Sequence, residues 1–302
     1  MTIYGIDEAA LGPILGPYTA AVSGFTTEGT IPLREILKDI WFDTAPKDPL
    51  CLVCDSKKLY SPDKGIEELE QTVLCFFYLL MGRLPDSFND FLLHLGSTTY
   101  ESIPWLHNDI KLPLHENNEH LMERAQKLSV YLQSLNVHLK QIKLQFVPAL
   151  TFNQTLQKYP NKGRTTQILL SPLFPKVHKD ITIIIDKQGG RRFYGDWLLE
   201  LYPHQSIRAF QEGQLRSSYE VGQANITFEQ KADDQFFATA LSSLFAKYAR
   251  EVAMHQFNHY WQNHYPHLQK TAGYPQDGKR FIKELSEYQN IEEILPILVR
   301  AK

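Results

Sequence analysis

Apolar positions along this chain recur with two periods. Short alternating or continuous β-branched runs mark strands, and residues spaced three and four apart mark helices. Tyr4-Gly5-Ile6 reads as the end of a short apolar strand, with the adjacent carboxylates of Asp7 and Glu8 at its tip. Neighbours in a strand face opposite ways, so both acids reach one face only if a turn or bulge intervenes. Gly12, Pro13, Gly16 and Pro17 allow a tight reversal before Pro17–Phe25 opens a second strand. Cys51–Cys54 resembles another short strand, running into Asp55-Ser56-Lys57-Lys58-Leu59. From Pro62 to Met81 the pattern is helical, with Ile66, Leu69, Val73, Phe76, Phe77 and Leu80 on one side.

Residues 82–143 carry the weakest pattern. Pro85, Gly96, Pro104 and Pro113 interrupt the first half, and Glu119–Leu139 reads as an amphipathic helix. The segment is expected to be an insertion or lid on a single domain spanning residues 1–302. Lys143–Leu150 suits a strand, and helical spacing returns near Thr166–Phe174. Ile181–Ile185 is the strongest strand, and its unbroken β-branched run predicts burial on both faces. It ends at Asp186 and is followed by a helix over Tyr194–Leu201. Short strands with turns are expected from Ser206 to Phe228. A long helix then runs from Asp234 to about Trp261, Gly273-Tyr274-Pro275 is a turn, and Lys279–Leu298 is helical.

Composition narrows the function classes. The chain has 302 residues, 43% hydrophobic and 22% charged, which is ordinary for a globular protein. A net charge of −3 excludes a global basic signature, so any nucleic-acid surface must be local. Three cysteines (Cys51, Cys54, Cys75) make no disulfide framework, and the Cys51/Cys54 spacing lacks the further ligands of a zinc knuckle. No signal-like terminus or membrane-length run is present, and a cytoplasmic location is expected. His115-Glu116-x-x-x-His120 has its histidines five apart, one too many for a zincin helix. His255 and His259 are four apart and could bind a metal on one helix face, but they lie in an aromatic-rich stretch where packing or partner contact is the expected reason for them.

The acids carry the chemistry. Two-metal phosphodiester hydrolysis needs hard oxygen ligands converging on one spot, and strand ends supply them because a sheet fixes their spacing. Asp7, Glu8, Asp186 and Asp233 all sit at such boundaries.

Their order and contexts add a resemblance. Asp7-Glu8-Ala9-x-x-Gly12-Pro13 is similar to the opening motif of the type 2 ribonucleases H, with Ala10 and Leu11 where that motif has Gly and Arg. Asp55-Ser56-Lys57-Lys58-Leu59 matches the family's Asp-Ser-Lys-Lys-Leu block. Ile184-Ile185-Asp186-x-x-Gly189-Gly190-x-x-x-Tyr194 and Lys231-Ala232-Asp233 resemble its third and fourth acid segments. The helix from Ala240 to Glu251, with Lys247 and Arg250, and the Gly273-Tyr274-Pro275 turn also match. The blocks run in order from residue 3 to about 285, leaving the central insertion uncovered.

The resemblance implies a ribonuclease H-like α/β fold, with a mixed five-stranded sheet flanked by helices and a helical C-terminal part from about residue 234. It implies that Asp7, Glu8, Asp186 and Asp233 are catalytic and hold Mg²⁺ or Mn²⁺, with Asp234 a competing neighbour for the fourth place. Ser56, Lys57, Lys58, Lys247, Arg250 and Tyr274 would bind substrate. The expected activity is hydrolysis of the RNA strand of RNA–DNA hybrids by a monomer with no membrane partner. In the family the Gly-Arg-Gly stretch helps sense the ribonucleotide 2′-hydroxyl, so Ala10 and Leu11 imply altered specificity. Arg164, Arg191 and Arg192 are candidate compensating phosphate contacts. A nuclease with another nucleic-acid target and a non-catalytic binding or assembly protein remain as alternatives.

Overall fold

Seven strands join in one mixed sheet among the described residues of the computed structural model, which describes every residue except Pro62, Glu101, Glu116 and Lys302. Pro62, the first residue of an expected helix, and Glu116 of the rejected zinc motif therefore lie outside the described residues. β1 (Thr2–Ala9) pairs antiparallel with β2 (Tyr18–Thr26), and β2 with β3 (His138–Val147). On its other side β1 runs parallel to β4 (Ile181–Asp186), and β4 parallel to β7 (Ala224–Glu229). β6 (Arg216–Val221) and β5 (Ile207–Glu212) complete the order β3-β2-β1-β4-β7-β6-β5.

The expected class, a mixed sheet flanked by helices, is the one observed, but with seven strands in place of five. The two additional strands form a hairpin beyond β7. β6 buries Ser217, Tyr219 and Val221 at alternate positions, so it continues the sheet's covered face, and β5 forms an exposed edge.

Helices fill the connections. α1 (Leu33–Ile36) and α2 (Ser56–Leu59) are single turns, and α3 (Glu67–Met81) is the first long helix. Cys51–Cys54 forms no strand; Val53 makes only an isolated bridge to Trp41. α4 (Phe88–His94) and α5 (Asn118–Ser134) lie within the 82–143 segment. Their Phe88, Phe91, Leu121 and Leu128 join the same apolar core as α3. α6 (Ala149–Lys158), α7 (Lys162–Leu170) and α8 (Gly195–Leu201) follow. The C-terminal part holds α9 (Phe237–His264), α10 (Pro275–Ser286) and α11 (Leu295–Leu298). The helix expected to run unbroken from Lys279 stops at Ser286, and α11 is a separate turn.

The sheet has an apolar cluster on each face, as period-two side chains require. Ile3, Ala21, Phe25 and Ile184 pack under α9, while Tyr4, Ile6, Ile183 and Ile185 face Phe152, Leu170, Trp197 and Leu198. β4 is thus covered on both sides, as its β-branched run predicted.

α9 lies very close to β1 and β2 because small residues line the contact. The Ser242 hydroxyl donates to Gly5 O at 2.8 Å, Ser23 to Ala238 O at 2.8 Å and Thr19 to Ala246 O at 2.8 Å. α9 has no single apolar stripe, since Leu241, Leu244, Phe245 and Tyr248 are also covered by the layer of α3–α5. Each such side chain contributes roughly 1.5–3 kcal/mol by burial. No helix among the described residues is long and apolar enough to cross a membrane.

Candidate active site

β1 and β2 pair in continuous register from Thr2↔Thr26 to Ala9↔Thr19, without a bulge. Asp7 and Glu8 therefore leave β1 on opposite faces. Asp7 falls on the Ile3/Gly5 side beneath α9, where its Oδ1 accepts the Glu8 N–H at 2.7 Å and the Ser243 hydroxyl bonds to it. Glu8 falls on the Tyr4/Ile6 side. Its Oε2 accepts the Tyr18 hydroxyl at 2.5 Å and the Gln188 side-chain amide at 3.2 Å.

Asp186 ends β4, beside the tip of β1 in the parallel register that pairs Ile6 with Ile185. Its Oδ1 accepts the Ala232 N–H at 2.9 Å, which ties the strand end to the 3₁₀ turn Ala232–Asp234. Lys231 enters that turn at φ 56°, an uncommon conformation for a side-chain-bearing residue. The turn separates its two acids. Asp233 lies in the field of Asp186, whereas Asp234 pairs with Lys58 at 3.5 Å.

The four carboxylates share one electrostatic field. Burial, then Asp186 and Asp233, hold Asp7 well above the usual carboxylate range. Glu8 is pushed up to about 7, by burial first and by Asp186, against the Tyr18 hydrogen bond. Burial raises Asp186 as well, and burial with Asp55 and Asp186 lifts Asp233 to about 6. Among the described residues, no three His, Cys, Asp or Glu side chains close into a ready-made metal cage. Asp7, Glu8 and Asp186 are each turned towards their own hydrogen-bond partners instead. The donor set nevertheless fits Mg²⁺ or Mn²⁺, because every candidate ligand is a hard carboxylate oxygen and a cation would offset their mutual repulsion.

The candidate basic residues divide. Asp55 caps α2 by accepting the Lys57 N–H at 3.0 Å, and Lys57 projects into solvent with its charge felt by Asp186 and Asp233. Ser56 is buried, its hydroxyl 3.5 Å from that of Ser243. Lys58 lies 3.5 Å from both Asp43 and Asp234. Lys247 pairs with Glu251 at 2.8 Å and sits over the Tyr60 ring. Arg250 is buried, donating to Glu251 at 2.9 Å and to Ala272 O at 2.6 Å. Tyr274 stays exposed beneath the Arg250 guanidinium. Of the candidate compensating arginines, Arg164 is paired with Glu200 at 2.5 Å.

Three residues at the site escape a reading of the sequence. Tyr18 carries one detectable signal: Glu8 faces Ala20, and Tyr18, two residues from Ala20, is a diagonal neighbour on the same face. Gln188, two residues past Asp186, carries none. Arg300 arrives from the far end of the chain. Its guanidinium donates to Ala10 O at 2.5 Å and to Pro13 O, and its backbone N–H to Ile14 O at 2.8 Å. Lys162 donates to Leu11 O at 3.1 Å. The altered loop is thus fastened from two distant segments, with Ala10 at φ 70°, where glycine is the favoured residue.

No protein-family model matches the chain, and no curated protein matches it. Among solved structures it is similar to the ribonuclease HII of Archaeoglobus fulgidus in its complex with PCNA. That match has 13% identity and a TM-score of 0.44, over 100% of this chain and 95% of the other. The ribonuclease H2 of Pyrococcus horikoshii matches at 14% identity and a TM-score of 0.41, over 99% and 92%. Bst-RNase HIII in complex with Mn²⁺ matches at 12% identity and a TM-score of 0.41, over 99% of this chain and 66% of the other.

Proposed function

We propose that the chain is a metal-dependent endonuclease of the type 2 ribonuclease H kind, hydrolysing the RNA strand of RNA–DNA hybrids with altered ribonucleotide specificity. The observation that carries the reading is the shared field of Asp7, Glu8, Asp186 and Asp233. They come from two adjacent parallel strands and the turn into α9, and all four are raised above their ordinary range.

In this reading the four acids would hold the cations. Mg²⁺ or Mn²⁺ would supply charge neutralisation and an activated water. The chain's own part is orientation. Tyr18 and Gln188 both engage Glu8 Oε2, leaving Oε1 for a ligand role. Lys57 stands free enough to meet a backbone phosphate near the acids, and the exposed Tyr274 ring offers a sugar or base contact. Ser56, Lys58, Lys247 and Arg250 support the strand-binding wall, with Arg250 acting through Glu251 and the Ala272 carbonyl. The chain acts as one domain with 82–143 as an elaboration, as a monomer, and in the cytoplasm, where its three buried cysteines, none in a disulfide, are at home.

A nuclease with a different nucleic-acid target is the second reading. It is favoured by Leu11, which donates no side-chain hydrogen bond, on a loop already fastened by Arg300 and Lys162. The test is cleavage of end-labelled duplexes with Mg²⁺ or Mn²⁺, beside Asp7→Asn. The panel holds an RNA–DNA hybrid, DNA with one embedded ribonucleotide, plain DNA and double-stranded RNA. Cutting of the hybrid, weak cutting at the single ribonucleotide and loss in the variant are expected. Cutting of another duplex in its place selects the second reading. Binding without any cutting selects a non-catalytic protein.

A further inference from the structure

A cleft of about 490 Å³ lies against the C-terminal half of α9, and none of Asp7, Glu8, Asp186 and Asp233 lines it. Four segments remote in sequence build it: Tyr60 with residues 65–67, residues 114–115, α9 itself and residues 270–272. A second hollow of about 450 Å³ adjoins it, and the two share His255 and His259. These histidines stand one turn apart on α9, both exposed. Nothing in the proposed hydrolysis uses them.

The charges around the cleft are unbalanced. His259, Lys270 and His115 all face His255; burial first, and then these neighbours, hold its ring below the usual imidazole range. Among the described residues the Lys270 ammonium and the His255 ring have no hydrogen-bond or ion-pair partner. The acids nearby are otherwise engaged. Glu251 is bonded to Lys247 and Arg250, and Glu67 lies 3.9 Å from His115. On the far side Asp109 accepts the Asn89 N–H at 2.9 Å, and His264 is turned to Tyr260 O at 2.8 Å. Tyr60 and Tyr260, both raised by burial, stay neutral. Basic groups that crowd one another without a counter-charge are stabilised when an anion joins them.

We propose that this cleft is a phosphate site that takes the backbone of a polynucleotide strand beyond the catalytic carboxylates. His255, His259 and Lys270 are its anion donors, with His115 at the rim. The phosphate site stands on the cleft's own chemistry, and the strand as its ligand rests on the nuclease reading. Spacing supports that ligand. Ser243, beside Asp7, and His255 are twelve residues apart on α9. At 1.5 Å per residue this is about 18 Å, or roughly five steps of a duplex strand at 3.4 Å each. Lys247 and Arg250 lie between the two ends on the same helix.

The test compares the wild-type chain with the triple variant His255→Gln/His259→Gln/Lys270→Gln, all surface changes, after a thermal melt confirms that both fold. Binding of a labelled hybrid of about 16 base pairs is measured in EDTA across salt, at pH 6 and pH 8.5. The wild type should bind about fivefold tighter than the variant at pH 6, less than twofold tighter at pH 8.5, and with a salt slope steeper by about one. Equal binding by both proteins at both pH values overturns the proposal. A second arm follows the histidine ring signals by NMR with inorganic phosphate and with the hybrid. Shifts with both support the site. Shifts with phosphate but none with the hybrid overturn the strand as ligand, leaving a small phosphate compound. Cleavage separates the two readings. A wild type that cuts the hybrid while the variant binds it equally well defeats this inference alone. A wild type that never cuts but binds as described defeats only the nuclease reading.

Discussion

The Tyr18 hydroxyl donates to Glu8 Oε2 at 2.5 Å, from β2 to β1 across one face of the sheet. Residues that orient a metal-binding carboxylate are typically worth 10- to 100-fold in affinity or rate. Tyr18→Phe keeps the buried ring and removes only the bond. Hybrid cleavage should fall about tenfold and the Mn²⁺ concentration for half-maximal activity should rise. A metal titration unchanged from wild type would remove Tyr18 from this role.

Arg300 fastens the loop after the acid pair by donating to Ala10 O and Pro13 O. Arg300→Met leaves both carbonyls without that donor, while Nε and Nη1, which have no partner among the described residues, lose nothing. A loss of about 2 kcal/mol in stability is expected, read as a lower urea midpoint. A midpoint equal to wild type would mean that the loop holds itself.

Gly5 marks a close approach of α9 to β1. A Cβ there would meet Thr239 N at 2.1 Å and Ala238 C at 2.2 Å, both backbone atoms that cannot turn aside. Gly5→Ala should therefore cost about 3 kcal/mol or more, or abolish soluble expression. Gly12→Ala is the control, since among the described residues nothing beyond its chain neighbours lies within 4 Å of an added Cβ. Equal stability of the two variants would show that α9 can shift.

The raised acids predict a pH dependence of stability in EDTA. Glu8 and Asp233 move up from 4.5 and 3.8 to about 7 and about 6. Between the ordinary and raised values the folded chain keeps protons that the unfolded chain has released. Stability therefore falls as pH rises through that window. The melting temperature should drop by several degrees between pH 5 and pH 8, and less in Glu8→Gln. Mg²⁺ or Mn²⁺ should restore more at pH 8, where protons no longer compete for the ligands. A metal effect that is independent of pH would argue against carboxylate ligands.

What the sequence makes legible follows the range of the forces involved. β4 is readable because five β-branched or apolar residues in succession suit a strand covered on both faces. The candidate acids are readable because each closes or opens a strong element. Asn136, at φ 52° just past α5, marks a helix end that the apolar period hid, so β3 begins where a helix was expected to finish. The β5–β6 hairpin was legible as strands but not as part of the sheet, because an edge strand with one covered partner carries little alternation. Residues 82–143 defeat the periodic signal because their apolar side chains enter the core from short, Pro-interrupted turns. Arg300 is beyond local reading, since its partners lie at the opposite end of the chain.

The most direct test is cleavage of a hybrid carrying 5′-labelled RNA, with Mn²⁺, by wild type and Asp186→Asn under single-turnover conditions. Asp186 accepts the Ala232 N–H, and asparagine keeps an acceptor oxygen there while removing the charge, so the variant should fold normally. The account predicts wild-type cutting that leaves 5′-phosphate and 3′-hydroxyl ends, and a loss of at least about 100-fold in the variant. Undiminished cutting by folded Asp186→Asn would contradict it.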